Sequence, residues 1–316
     1  MIEFLKVPYK DVYPVRLAAY GLLMKKDQIA IIKTPRGLFL PGGGIEKGES
    51  QEACIVREFK EELGMTVVVE AYVTTTKLTN TTPSRAYPIE MIGHCWRVKD
   101  MNEPVVAIEE DHQLVWLTIA EASRSLKLVH QAWVMEHLLA QEIQPTIVPY
   151  NPHWVDWFEA ISFRIKAVLG DHYKVIEHLG STAIPGMKAK PVIDMTIVIG
   201  EEEDFDDVCS RLSQLGYLHN GNQGIPGREV FKRSDEQEDV LLDLVPHHLY
   251  LSYEGGDELR RHCHFRDTLM KDDTLRDAYN ALKEEIIAVV GPYDRKAYVE
   301  MKANDYTCFF SLLDKQ

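Results

Sequence analysis

The chain has 316 residues, a length that exceeds the usual size of a domain with one hydrophobic core. Its residues are 45% hydrophobic and 27% charged, as in an ordinary globular protein. Its net charge of −14 argues against broad affinity for nucleic acid or anionic membranes, which requires basic patches. Binding of a nucleotide is compatible with this negative net charge, because a bound divalent cation can supply positive charge locally. The five scattered cysteines form no C-x-x-C pair, and no apolar run approaches the ~20 residues that cross a bilayer. We therefore expect a cytoplasmic protein with reduced thiols.

The first half of the chain alternates strand and helix signals. Two strands are predicted between Val15 and Lys33, and the glycine-rich loop PGGGIEKGE follows them. A helix is predicted over Gln51–Leu63, since Ser50 suits its N-cap and Gly64 the position after its last turn. The remaining predicted elements of this half are three strands and one helix: Met65–Thr75, Tyr87–Val98, Gln113–Leu117 and Ile119–Ala140.

A linker between two domains is predicted at Gln141–Pro149, where two prolines interrupt any continuing helix. We therefore expect domains at residues 1–143 and 147–316. The second half is predicted to open with a helix that has Asn151 as its N-cap and Pro152 at its first position and runs to about Leu169. Its other predicted helices are Asp204–Leu215, Thr274–Val290 and Asp294–Leu313. Its predicted strands are Tyr173–Leu179, Val192–Ile199, Glu229–Lys232 and Val240–Val245. Both halves are predicted to belong to the α+β class.

Three carboxylates in the predicted helix Gln51–Leu63 share one face. Glu58, Glu61 and Glu62 stand at positions i, i+3 and i+4, which are neighbours on a helix surface. Three close carboxylates repel one another unless a cation lies among them. Oxygen ligands without imidazole or thiolate favour Mg²⁺ or Mn²⁺, and such an ion suits phosphoanhydride chemistry. A solvated acidic face is the alternative and is the usual meaning of a glutamate run.

The spacing around these glutamates favours the metal site. The text Gly43-x5-Glu49-x7-Arg57-Glu58-Phe59-Lys60-Glu61-Glu62-Leu63-Gly64-Met65 matches, at every fixed position, the signature of the Nudix hydrolase family. The resemblance extends over about residues 14–140. It implies an α/β/α sandwich that uses Mg²⁺ or Mn²⁺ to hydrolyse the phosphoanhydride bond of a nucleoside diphosphate linked to another group.

The same resemblance implies a role for each matched residue. The metal ligands would be Glu58, Glu61 and Glu62, with a further ligand from the carbonyl of Gly42. Glu58 is the first choice for the general base. Glu49 would lie beside the metal ligands, and Arg57 would pair with an acid to hold the loop against the helix.

Substrate identity depends on residues outside the signature. Lys33 and Arg36, just ahead of the loop, are candidate phosphate contacts. Glu110, in an acidic run, is a candidate for an extra metal ligand or base. Solvated surface is the alternative for each of these residues. The expected ligand is a small-molecule nucleotide derivative, and a homodimer is one option for assembly.

The second half resembles the GrpB family, which has a nucleotidyltransferase-like fold. The segments VPYNPHW, IEHLGSTAIPGMKAKPVIDM and HFRDTL carry the resemblance. Gly180–Ser181 follows a predicted strand, and a small flexible turn there suits close approach to phosphate. Active nucleotidyltransferases place two carboxylates as D-x-D on the next strand, whereas this chain has Asp194 followed by Thr196. Asp243 is the candidate for a third acid.

Basic side chains complete the expected second site. His178 and Lys190, together with His247 and His248, are candidates for binding an anion, with packing or surface roles as the alternative. Two acids hold catalytic metals poorly, which weakens the prediction of nucleotidyl transfer. Three hypotheses follow: a Nudix pyrophosphohydrolase, a nucleotide-sensing protein with slow turnover, and a nucleotidyltransferase in the second half. The first leads, because binding alone would not require three clustered glutamates.

Overall fold

The structure, a computed structural model, describes residues 2–5, 13–80, 89–104, 111–139, 145–200, 204–234, 236–237 and 239–302. The chain divides into two compact units, Met1–Glu142 and Ile143–Gln316. Each unit contains a mixed sheet with helices packed against it, which confirms the predicted α+β class. In the part of the chain that is described, no helix is long and apolar enough to cross a membrane.

The first unit is built on an eight-stranded sheet. Its strands are β1 (Ile2–Leu5), β2 (Val15–Lys25), β3 (Gln28–Thr34), β4 (Gly37–Phe39), β5 (Gly42–Gly44), β6 (Met65–Asn80), β7 (Ile89–Pro104) and β8 (Gln113–Thr118). Its helices are α1 (Gln51–Leu63), α2 (Ile119–Ser125) and α3 (Val129–Leu139). The strand order is β1-β6-β7-β2-β3-β4, with β5 beside β2 and β8 beside β3.

Helices lie on both faces of this sheet, as strand β2 shows. A Cβ atom built on Gly21 would lie 2.4 Å from Cε2 of Phe59 in α1, so the glycine permits close helix–strand packing. The neighbouring Tyr20 points to the opposite face, where its ring lies 6.0 Å from that of His130 in α3. Successive side chains of a strand alternate between faces. The unit is therefore an α/β/α sandwich, as the resemblance to the Nudix family implied.

Helix α1 begins and ends as its sequence predicts. The side chain of Ser50 accepts a hydrogen bond from the backbone of Ala53 at 3.1 Å. Gly64 ends the helix in the left-handed conformation, with φ 62° and ψ 34°. Ile55 and Phe59 are fully buried in the hydrophobic core between α1 and the sheet. This packing directs the opposite, acidic side of α1 toward the glycine loop.

The structure has two helices, α2 and α3, where the sequence predicted one. The stretch predicted as Ile119–Ala140 breaks at Leu126, whose backbone is extended. Lys127 then donates its backbone N–H to the carbonyl of Leu38, in β4, at 2.9 Å. The prediction was wrong because this bond to a distant strand replaces a helical hydrogen bond. Ala140 lies outside the described residues.

The second unit has a five-stranded mixed sheet in the order β11-β12-β13-β10-β9, in which β10 and β13 are parallel. Its strands are β9 (Val175–Leu179), β10 (Ile193–Ile199), β11 (Tyr217–His219), β12 (Arg228–Arg233) and β13 (His247–Tyr253). Its helices are α4 (His153–Leu169), α5 (Asp204–Ser213), α6 (Val240–Leu244), α7 (Asp257–Lys271) and α8 (Asp273–Val290). Residues 295–302 are also helical.

Strand β9 shows which helices cover the two faces of this sheet. His178 stacks on Phe158 of α4, with ring centroids 4.6 Å apart and planes 9° apart. Its neighbour Glu177 points the other way and binds Arg266 of α7 at 2.5 Å. Helices α4 and α7 therefore lie on opposite faces, and the functional residues of this unit divide between the faces according to strand alternation.

Several features of this unit differ from the sequence-based expectations: strands β11 and β13 were not predicted, and two further differences concern helices α6 and α7. The strand predicted at Val240–Val245 is the helix α6, because Asp239 caps it by accepting the backbone N–H groups of Leu241 and Leu242 at 3.1 Å each. Helix α7 was not predicted. Only Phe265 and Leu269 of α7 are buried, so its apolar periodicity is weak.

His130 provides a test of this packing through the pH dependence of stability. The residue is fully buried, and neither ring nitrogen has a hydrogen-bond partner among the described residues. Burial lowers the pKa of His130 to about 3, from a usual value of 6.5. The folded state therefore holds the neutral ring, and the stability this contributes is present above pH 6.5 and is lost as pH falls toward 3.

We predict that His130→Phe reduces the loss of unfolding free energy between pH 7 and 5 by about 2 kcal/mol. Urea titrations at both pH values measure this loss. His264→Phe, at an exposed position of α7, is the control and leaves the pH dependence near that of the parent chain. An unchanged loss in His130→Phe would contradict the prediction.

Candidate active site

Arg57 lies at the centre of the acidic residues predicted from the sequence. Its guanidinium donates two hydrogen bonds to Glu49, of 2.9 and 3.1 Å. The same group donates to Oε1 of Glu58 at 2.9 Å and to Oε2 of Glu61 at 3.1 Å. A further bond of 3.2 Å reaches the carbonyl of Gly44. One side chain thus joins three carboxylates of α1 and the loop before it to the glycine strand β5.

These contacts set the charge state of the cluster. Hydrogen bonds from Arg57 are the largest cause that lowers the pKa of Glu49 below its usual 4.5. The carboxylates in turn raise the pKa of Arg57, and the hydrogen bond to Glu49 is the first cause. Arg57 is therefore a permanent cation, and the paired geometry with Glu49 is the strong, bidentate kind.

Glu58 and the glycine strand approach each other closely. A Cβ atom built on Gly43 would lie 2.3 Å from Oε1 of Glu58, which is closer than any side chain permits. At Gly42 the φ angle is +132°, and a Cβ atom there would lie 2.2 Å from the carbonyl oxygen of Ala19. Glycine is required at position 42, where the clash is with backbone and φ is positive, whereas a side chain at position 43 would force the carboxylate of Glu58 to move.

Glu62 is held by a separate set of contacts. Its Oε2 accepts the backbone N–H of Gly42 at 3.0 Å, and the residue is only 9% exposed. Its Oε1 lies 3.6 Å from Nδ1 of His112. His112 directly precedes β8 and was missed in the sequence, although its neighbour Asp111 ends the acidic run noted there. The position of this imidazole directly after the acidic run is the signal that could have identified His112.

Arg16 is a second residue that the sequence analysis missed. A Cβ atom built on Gly44 would lie 2.7 Å from a terminal nitrogen of Arg16, so its guanidinium lies over the glycine strand. The predicted phosphate contacts Lys33 and Arg36 are exposed, and their side chains form no hydrogen bond or ion pair with the described residues. Glu110 lies outside the described residues.

The donor set of this site suits a hard cation. Three carboxylates, those of Glu49, Glu58 and Glu61, bind the guanidinium of Arg57, and Glu62 of the same helix binds the backbone of Gly42, so negative charge is in excess. Among the described residues, no three His, Cys, Asp or Glu side chains are arranged as a set of metal ligands. Instead, Glu49, Glu58 and Glu61 accept hydrogen bonds from Arg57. Glu62 accepts a hydrogen bond from the backbone of Gly42.

The second unit brings together part of the site predicted there. A Cβ atom built on Gly180 would lie 2.2 Å from Oδ2 of Asp194, and Oδ1 of Asp194 lies 3.0 Å from Nδ1 of His248. Ser181 and Lys190 line the same cavity as these residues. Thr196 also lines it, two residues after Asp194 on the same face of β10.

Three other predicted residues lie outside that cavity. His247 is not among the residues that line it, and its Nε2 lies 2.5 Å from the hydroxyl oxygen of Tyr217. Asp243 belongs to α6 and binds Arg233 at 2.6 Å, not on a strand beside Asp194. His178 points to the α4 face, because it alternates with Leu179, which lines the cavity. Burial lowers the pKa of His178 to about 4, which keeps its ring neutral near pH 7.

Comparison with known proteins assigns both units. The family described as GrpB protein matches residues 144–309, which is more than half of the chain. This chain belongs to the GrpB family. The family described as NUDIX domain matches residues 12–139. The GrpB domain is therefore fused to a NUDIX domain, as the sequence predicted, and the match supports a pyrophosphohydrolase family for the first unit.

Individual relatives are distant. The YqkA protein of Bacillus subtilis is 32% identical over 142 residues, which covers 45% of this chain and 39% of YqkA, so the chain spans well under half of that relative. The crystal structure of the conserved protein GrpB from Enterococcus faecalis is 26% identical and covers 54% of this chain and 98% of its own, with a TM-score of 0.45. The solution structure of the E. coli ORF135 protein is 25% identical and covers 40% and 91%, with a TM-score of 0.34.

Arg57 in the NUDIX domain generates a prediction about stability without added metal. We expect Arg57→Gln, in buffer with EDTA, to lower the free energy of unfolding at pH 7 by about 1–2 kcal/mol, because three carboxylates lose a charged partner that is 25% exposed. The effect is present above pH 4.5, the usual pKa of Glu49, and is lost as pH falls through its lower folded value.

Urea titrations at pH 7 and pH 4 measure the effect. Arg36→Gln, at an exposed position without side-chain partners among the described residues, serves as the control and changes the free energy by less than about 0.5 kcal/mol. Equal destabilisation by the two substitutions would contradict a central role for Arg57.

Proposed function

We propose that the NUDIX domain hydrolyses the phosphoanhydride bond of a nucleoside diphosphate linked to another group, with Mg²⁺ or Mn²⁺ as its cofactor. The observation that carries this proposal is that Glu58 and Glu62 of one helix lie against the glycine strand, while Arg57 binds both Glu58 and Glu61. A purely solvated acidic face would not need Glu62 to be buried or Gly43 to lack a side chain.

In this proposal Glu58, Glu61 and Glu62 hold the metal. A bound divalent cation supplies charge that offsets the phosphate oxygens and lowers the pKa of the attacking water. Glu58 is the proposed general base and accepts the proton of that water. Arg57 keeps Glu58 and Glu61 on the side of the glycine strand, and the backbone N–H of Gly42 keeps Glu62 in place.

The substrate is proposed to be a small nucleotide derivative and not a nucleic acid, in keeping with the net charge of −14. Arg16, which lies over Gly44, is a candidate phosphate contact in addition to Lys33 and Arg36. Nucleotidyl transfer in the GrpB domain is less well supported. Asp194 is the one carboxylate among the described residues around its cavity, and Asp243 lies elsewhere.

The central test is a hydrolysis assay on a panel of nucleoside triphosphates, dinucleotides and nucleotide sugars with Mg²⁺ or Mn²⁺. We expect release of phosphate or nucleoside monophosphate from at least one substrate. Glu61→Gln and Glu62→Gln should each lower kcat by about a hundredfold or more, because each removes a charged ligand from a site that stabilises developing charge.

One matched control makes the assay decisive. Glu70→Gln, at an exposed position of β6, should retain activity if the loss in the other variants depends on the position of the glutamate and not on the removal of any negative charge. Activity that survives both Glu61→Gln and Glu62→Gln would overturn the proposed site. Nucleotide binding without turnover in the parent chain would favour a sensing function, and loss of activity only in Asp194→Asn would move the chemistry to the GrpB domain.

Gly43 allows a test that does not depend on the substrate. We predict that Gly43→Ala weakens Mn²⁺ binding by about tenfold or more, because its Cβ would occupy the place of Oε1 of Glu58 and displace that carboxylate. Electron paramagnetic resonance of free Mn²⁺ measures the affinity. Gly48→Ala is the control: it lies in the same loop, and a Cβ there meets no atom within 4 Å. Equal affinities of the two variants would contradict the role of Glu58.

A further inference from the structure

The GrpB domain contains a cavity of about 280 Å³ on one face of its sheet. Strand alternation and pairing place Asp194 and Thr196 of β10 beside His248 and Tyr250 of β13 on this face. Tyr279 of α8 lines the cavity from another element. The cavity is thus formed by residues far apart in sequence, and all of its described lining residues belong to the GrpB domain.

Positive charge dominates the lining of this cavity. Lys190, Arg228, Lys283 and Lys302 line it, whereas Asp194 is the one Asp or Glu among the described lining residues. Counting these groups as ionised leaves an excess of three positive charges. The cavity is therefore suited to an anion, in a chain whose overall charge is −14.

Asp194 is poorly placed to hold a metal ion by itself. Its Oδ1 lies 3.0 Å from Nδ1 of His248, and its Oδ2 lies against Gly180. The next side chain on the same face of β10 is Thr196, a neutral hydroxyl. Divalent cations in phosphate-transfer sites are bound through several carboxylates, and one carboxylate already engaged by an imidazole does not supply them.

Several hydrogen-bond donors converge on the cavity. Lys283 is 1% exposed and donates to Oγ of Ser181 at 2.8 Å and to the carbonyl of Lys188 at 2.5 Å, which leaves one of its three N–H groups. Nζ of Lys190 makes no hydrogen bond or ion pair with any residue that the structure describes. Nε of Arg228 is buried and has no hydrogen-bond partner within the same ranges.

Burial of these cations is costly in the absence of an anion. Burial is the first cause that lowers the pKa of Lys190, Lys283 and Lys302. Arg228 is positioned by its contact with the ring of Tyr250, whose centroid lies 4.7 Å from Cζ. The arrangement therefore holds positive charge and unfilled donors in a partly desolvated space, where a bound anion would be strongly favoured.

We propose that this cavity binds a diphosphate group directly through Lys190, Arg228 and Lys283, without a divalent metal ion. A diphosphate carries about three negative charges near pH 7, which matches the excess of positive charge in the lining. A volume of about 280 Å³ lies at the lower end of small-molecule sites, so it fits the diphosphate and not a whole dinucleotide. Either inorganic pyrophosphate or the diphosphate of a nucleotide supplies this chemistry.

Isothermal titration calorimetry of the full chain tests the proposal, with sodium pyrophosphate as the probe and EDTA in the buffer. We expect saturable binding, and Lys190→Gln and Arg228→Gln each weaken it by about tenfold or more. Lys166→Gln, at an exposed position of α4, and Glu61→Gln in the NUDIX domain leave the Kd unchanged. Thermal melts confirm that each variant is folded.

Further arms of the same titration distinguish ligands. ADP that binds more tightly than pyrophosphate would identify a nucleoside diphosphate, and weaker binding of ADP would identify a diphosphate without a nucleoside; both support the proposal. Absence of binding in EDTA, or binding only after MgCl₂ is added, would overturn it. Unchanged affinity in both cavity variants, or equally tight binding of sulfate and inorganic phosphate, would overturn it as well.

Discussion

The NUDIX domain depends on a single guanidinium placed among mutually repelling carboxylates. Arg57 binds Glu49, Glu58 and Glu61, and it also reaches the carbonyl of Gly44, so it connects the loop, the helix and the glycine strand. Without this cation the carboxylates would repel one another, and the glutamate side chains of α1 would turn toward solvent. The close packing of Glu58 on Gly43 follows from this attraction.

The two units use the same electrostatic principle with opposite signs. In the NUDIX domain, several carboxylates surround one permanent cation, which leaves negative charge for a metal ion to balance. In the GrpB domain, lysine and arginine side chains line a cavity whose described lining residues include one carboxylate, which leaves positive charge for an anion to balance. In both units the fold brings like charges together, and a ligand of opposite charge would relieve the repulsion.

Much of the first site could be predicted from the sequence because its determinants are local. The spacing of Glu58, Glu61 and Glu62 on one helical face, and the caps Ser50 and Gly64, follow from helix geometry alone. His112 and Arg16 could not be predicted in the same way. His112 approaches Glu62 from the residue before β8, and Arg16 approaches the glycine strand from β2. The helix break at Leu126 was missed for a similar reason, because a backbone bond to a distant residue decides it.

By itself, the sequence determined the two-part organisation of the chain, the α+β class and the helix that carries the clustered glutamates, because helix periodicity and capping act within a few residues. Only the tertiary structure decided which basic residues line the cavity of the GrpB domain. Lys283 reaches Ser181 across about a hundred positions of the chain, and strand alternation turns His178 away while it turns Asp194 inward. Sheet register and helix packing are long-range properties, so no local pattern reports which of these side chains meet.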